Sequence, residues 1–339
     1  METVEIRDLL TRGVSLIVDP RGLKTSLDDF FASYGGYLEY VVAVAKDLSG
    51  RVFYSSKAAP ADEEYPTFFD EFIDTTDAVG IRAGAYLNVF ADAFFAADQE
   101  FKTFTADGQP LNNFVCPNKP PFIQHMATVI KEVAENPIET LFLGNLGYSH
   151  ASYCYCNECR NEFSEYADLR HTFQIADQSA NPALYNQWIE WRVAKISGMV
   201  QQLITAAKEV RPDLKVIPTY PIDSESGYVA GTRTNLGLDL DTIAKISKNI
   251  AIEVFPWTPI LPDPGSKDFN NYIESLSFIS SLTKLGVEFS MTHWVLEDET
   301  EYGRAKALAD AADITSLYSM LGYPSGYQSL REIRLGLGY

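Results

Sequence analysis

The sequence is poor in the residues that carry the most conspicuous chemistry. It has four cysteines and four histidines in 339 residues. Basic residues are scarce too: 27 Lys and Arg stand against 46 Asp and Glu, a net charge of −19. Phosphate backbones are gripped through Lys/Arg patches, and no basic cluster here exceeds the Arg331–Arg334 pair, so nucleic acid is not an expected partner. No run approaches the ~20 apolar residues of a membrane span. A surface of one sign is also repelled by anionic membranes. The start, Met1-Glu2-Thr3-Val4-Glu5, lacks the basic beginning and apolar centre of a signal peptide, so the expected location is the cytoplasm. The G-x-G-x-x-G, G-x-S-x-G, H-E-x-x-H and G-x-x-x-x-G-K-[ST] patterns are absent, which removes the commonest nucleotide, serine-hydrolase and zinc-protease readings. Neither long repeats nor low-complexity tracts occur.

What is present is a regular alternation. Short apolar runs at 14–19, 40–45, 81–90, 139–144, 215–220, 250–257, 288–294 and 322–329 read as strands. Helical patterns at 27–34, 67–79, 121–135, 181–210, 240–248, 269–285 and 303–321 separate them. Pro121 and Pro182 sit where a first helical turn tolerates proline, and Gly80 and Gly286 sit where helices end. Strand–helix alternation implies a parallel sheet with right-handed crossovers. Eight strands over this length predict a single (β/α)₈ TIM barrel spanning residues 1–339, with long rim loops. The active site of such a barrel lies at the C-terminal strand ends. The aromatic and Asn/Asp-rich loops expected there suit a carbohydrate, whose C–H faces stack and whose hydroxyls bond. Packing beneath long loops would use the same aromatics.

The cysteines are placed with unusual economy. Cys154-Tyr155-Cys156-Asn157-Glu158-Cys159 forms C-x-C-x-x-C, and Cys116 lies upstream in Val115-Cys116-Pro117-Asn118. Four thiolates complete a tetrahedral shell, so the expectation is a structural zinc pinning two neighbouring rim loops. Disulfides, disfavoured without secretion, and free thiols are the alternatives.

With the stretches Phe114–Pro120, Leu141–Tyr148 and Tyr153–Phe163, this cluster resembles glycoside hydrolase family 42 β-galactosidases. In looser form it also resembles the hypothetical glycosyl hydrolase 6 group. The likeness covers about residues 99–163. It implies a (β/α)₈ barrel with a zinc cluster on its rim loops, acting on glycosides, and leaves a homo-oligomer open. In family 42 an Asn-Glu pair ends the fourth strand, the Glu being the acid/base. Asn145 matches the Asn, and Leu146 stands where the Glu belongs. The family's nucleophile is a Glu ending the seventh strand. Here that strand, Glu288-Phe289-Ser290-Met291-Thr292-His293-Trp294, has its only Glu at the opposite end.

Glycoside hydrolysis ordinarily needs two carboxyl groups. Glu253 is the first candidate, because an apolar strand around it would raise its pKa toward a general acid's; a salt bridge to Arg82 is the alternative. Asp19, ending the first strand, is either a functional carboxyl or a turn cap. Glu297, in the acidic run after the seventh strand, either folds into the site or stays solvated. Asn88, Asn145, Tyr220, Trp257, His293 and Trp294 are the expected substrate-binding residues, from their strand-end positions. Two functions therefore stay open: a small-glycoside or oligosaccharide hydrolase, and a carbohydrate-binding barrel without catalysis. A barrel enzyme of another class, a lyase or isomerase, is a third, since fold does not fix function.

Overall fold

In the computed structural model, the described residues are 5–222, 228–254, 263–277, 279–293 and 299–321. Eight parallel strands close into a barrel. They are β1 (Val14–Val18), β2 (Tyr40–Lys46), β3 (Arg82–Asn88), β6 (Thr140–Gly144), β7 (Lys215–Ile222), β8 (Asn249–Val254), β9 (Glu288–His293) and β10 (Ser316–Leu321). The remaining two, β4 (Lys102–Phe104) and β5 (Pro110–Val115), form an antiparallel hairpin in the loop after β3. The sequence pattern predicts no strand there, and the short pairing leads the chain into Cys116. The protein is a TIM barrel with helices between its strands.

Strand and helix boundaries follow the local chemistry. Val41, Val42, Val44 and Leu16 are fully buried, as expected for parallel strands covered on both faces. The helix Phe68–Val79 ends at Gly80, held at φ +72°, a left-handed geometry that a Cβ disfavours. The last strand departs from expectation. The helix over Glu299–Ala311 stops ten residues earlier than the pattern 303–321 implied. Asp313 then takes φ +57°, and Ser316–Leu321 pairs with β1 and β9 to close the barrel. The expected strand 322–329 lies outside the described residues. Among the described residues, no helix is long and apolar enough to cross a membrane.

Register fixes which side chains face inward. Tyr86 reaches Glu253 across the interior. Alternation then places Asn249 and Ala251 on the inner face with Glu253. The β8–β9 register adds Ser290 and Thr292, and the β9–β10 register adds Ser316 and Tyr318. The helix Pro182–Val210 packs outside, with Trp188, Ile196, Val200 and Leu203 fully buried.

Candidate active site and metal centre

Glu253 lies near the C-terminal end of β8 and is almost fully buried. The Tyr86 hydroxyl donates to one oxygen at 3.2 Å, and the Thr219 hydroxyl donates to the other at 3.0 Å. Burial, and then the charge of Glu253, push the Tyr86 phenol well above its ordinary range, so it stays a donor. Gly144 makes this contact possible, since a Cβ there would stand 2.0 Å from the Tyr86 oxygen. Arg82 is not a partner of Glu253. It lies exposed at the opposite end of the barrel, paired with Glu139 at 3.2 Å.

Asp19 immediately follows β1 and is fully buried. One oxygen accepts the Arg21 backbone N–H at 2.9 Å. The other is buried and has no hydrogen-bond partner among the described residues. Burial pushes the carboxyl up to about 6, against the lowering effect of the Arg21 N–H and guanidinium. Asp47 and Asp62, both buried, add to the rise while sharing the Arg21 side chain as ion-pair partner. The Thr292 hydroxyl, one strand from Glu253 and level with it, is also buried without a partner among the described residues. Both groups stand at or near C-terminal strand ends, where a ligand's hydroxyls could complete them.

Other expected substrate-binding residues divide in two ways. The Asn145 amide donates to the Asn88 side-chain oxygen at 2.5 Å, and the Asn88 amide donates to the Lys46 carbonyl at 3.1 Å. Asn88 thus has its amide oriented by the protein and acts on Asn145, whose φ of +51° turns the chain off β6. A fully buried ion pair, Lys46–Asp92 at 3.0 Å, braces the same corner, with the Lys46 ammonium also donating to the Asn88 carbonyl. Tyr220 faces away from the interior. It neighbours inward Thr219, is fully buried, and donates to the Leu238 carbonyl at 3.2 Å. The residue of β7 that meets the interior is therefore Thr219. His293 ends β9, but its side chain lies outside the described residues, as do Trp257, Trp294 and Glu297.

The four cysteines converge. Their sulfurs all lie within 4.8 Å of one another, every one buried. Cys116 is 3.7 Å from Cys156 and 3.4 Å from Cys159. A tetrahedron of sulfurs at ~2.3 Å from a zinc-sized ion would space them about 3.8 Å apart, so the set fits a metal. No pair is joined as a disulfide. Burial raises the Cys116 and Cys159 thiols well above their usual range, a cost that a bound cation would remove. Around the sulfurs, the Phe104 N–H donates to Cys154 and the Asn118 amide to Cys159. The cluster thereby fastens the β4–β5 hairpin to the loop after β6. Sequence reasoning missed the companion clamp, Arg192. Fully buried, it donates to the carbonyls of His150, Tyr153, Thr234 and Asn235 at 2.7–3.0 Å, and sits over the Tyr148 ring.

With this geometry in view, comparison with known proteins is informative about fold. No protein-family model and no curated protein matches the sequence. Among solved structures, the PgaB (BpsB) glycoside hydrolase domain from Bordetella bronchiseptica aligns over 95% of this chain and 98% of its own. The TM-score is 0.70 at 12% identity. The catalytic domain of a β-amylase from Paenibacillus polymyxa aligns over 96% and 98%, with a TM-score of 0.62 at 10% identity. Gan42B, a GH42 β-galactosidase from G. stearothermophilus, aligns with a TM-score of 0.64 at 12% identity. That match covers 90% of this chain and 50% of Gan42B, so this chain spans half of that enzyme. The likeness establishes a barrel of the kind glycoside hydrolases use.

Proposed function

We propose that the protein is a glycoside hydrolase acting on a small glycoside or oligosaccharide, with Asp19 and Glu253 as its two carboxyl groups. The observation that carries this reading is the buried Asp19 carboxyl, its pKa pushed up to about 6 and one oxygen unpartnered. A carboxyl with a pKa near 6 keeps its proton in mildly acidic solution, where it can give it to a departing glycosidic oxygen. Glu253, held by the Tyr86 and Thr219 hydroxyls, is the carboxylate that meets the positive charge developing on the sugar. The division of roles differs from the sequence expectation, in which Glu253 was the acid. Asn145, oriented by Asn88, and Thr292 offer hydrogen bonds to substrate hydroxyls. Trp257, Trp294, His293 and Glu297 are proposed to complete the site.

The four-cysteine centre is proposed to hold zinc. Four sulfurs leave no open position for water, so its role is structural, holding the rim loops.

One observation favours a second reading, a carbohydrate-binding barrel without catalysis. Leu146, directly after Asn145, is buried and cannot transfer a proton. The two readings separate on a panel of nitrophenyl glycosides and short oligosaccharides. Turnover by the wild type, lost in Glu253→Gln with the melting temperature kept, supports the hydrolase. Glycan binding by calorimetry with no turnover of any panel member supports the binding barrel.

A further inference from the structure

The N-terminal end of the barrel carries a feature the proposed site does not use. The interior of a TIM barrel is ordinarily filled by layers of bulky branched side chains, leaving its lower end closed. Here the inward positions at that end are Asn249 and Glu288 at the mouth, then a layer of Ala251, Ser290 and Ser316. Such short side chains do not fill the layer, and a cavity of about 600 Å³ opens between the strand ends. Its volume is in the range of small-molecule sites.

The lining has a definite chemical character. The Asn249 amide and the Ser290, Ser316 and Tyr318 hydroxyls all face this cavity. None of these four has a side-chain hydrogen-bond partner among the described residues. Burial raises the Tyr318 phenol, so it remains a hydroxyl. Ile217 and the Tyr318 ring supply apolar wall. The charged pair at the strand ends, Lys215 and Glu288, is already matched at 3.6 Å. The cavity therefore offers neutral donors and acceptors beside apolar surface, one carboxylate, Asp313, that is unmatched among the described residues and can accept from hydroxyls, and no unmatched cation for an anion. A net charge of −19 further disfavours anions.

We propose that this cavity is a second binding site, for a neutral polyhydroxylated molecule of mono- to disaccharide size. It lies at the end of the barrel opposite Asp19 and Glu253 and does not depend on the hydrolase reading. The test is calorimetry with glucose, galactose, maltose and lactose on wild type, Ser290→Leu, Asn249→Leu and Asp19→Asn. At least one sugar is expected to bind the wild type. The Ser290→Leu and Asn249→Leu proteins should weaken that binding at least tenfold, while Asp19→Asn keeps it. Should Ser290→Leu fail to fold, Ser316→Ala, which removes one hydroxyl only, should still weaken binding a few-fold. Binding unchanged by the cavity variants, or no binding of any of the four sugars, would overturn the proposal and leave a solvent-filled funnel. Loss of binding in Asp19→Asn alone would place the sugar at the upper rim, which also overturns it.

Discussion

Replacing Asp19 by Asn should make the protein more stable at neutral pH, and the gain should vanish in acid. The folded protein holds the Asp19 proton up to about pH 6. An unfolded chain releases the same proton near pH 4. Between those values the folded state binds more protons, so this group's contribution falls as pH rises. Stability is fully retained below about pH 4 and lost as pH passes through 6. Two pH units correspond to about 3 kcal/mol at pH 7.5. Asp19 is fully buried, so solvent screening does not reduce this figure much. Asparagine has the shape of the protonated acid and no charge to bury. Urea denaturation of wild type and Asp19→Asn at a series of pH values from 4 to 7.5 measures the effect. The difference in unfolding free energy between the two proteins should grow in favour of Asn by up to about 3 kcal/mol across that range. Parallel pH profiles would show that Asp19 ionises normally and would refute the reasoning.

Other variants probe the supports of the site. Gly144→Ala drives a methyl into the Tyr86 hydroxyl; it should lower stability by about 1–3 kcal/mol in denaturant titrations. It should also reduce turnover by detaching Tyr86 from Glu253. Arg192→Met strands one buried and three half-buried carbonyls and should cost about 3–5 kcal/mol, read by the same titrations; a loss under 1 kcal/mol would mean water replaces the guanidinium at about no penalty. Metal analysis of protein purified without chelator should find about one zinc per chain. Stripping it, or making Cys159→Ala, should lower the melting temperature, and a metal-free protein of unchanged melting temperature would remove the structural role.

Much of this architecture was legible because it rests on local periodicity. Valine-rich runs such as residues 40–45 read as buried strands, and Gly80 read as a helix end for the conformational reason the structure displays. The cysteine cluster was legible from spacing alone, since three of its members are neighbours in sequence. The closing strand was not. Its residues Ser316–Leu321 continue a helical-looking stretch, and only the left-handed turn at Asp313 breaks it. At the candidate site, strand-end position pointed to Asp19, Glu253, Asn88 and Asn145, and the structure places all four at or just after C-terminal strand ends. It could not show that Tyr220 points outward, because a one-residue change of parity reverses the face. Tyr86, Thr219 and Arg192 gave no sequence signal, for their partners lie 34–167 residues away. One sign was available in hindsight: Gly144, an unexplained glycine inside a strand, marks a close approach by another side chain.

The central claim is that Asp19 supplies the proton for glycoside cleavage. The pH dependence of kcat/KM on whichever glycoside is turned over tests it most directly. The account predicts a rate that declines as pH rises through about 6, and a loss of at least about a hundredfold in Asp19→Asn, the size expected for removing a general acid. An Asp19→Asn enzyme that keeps both the wild-type rate and the wild-type pH profile would contradict it.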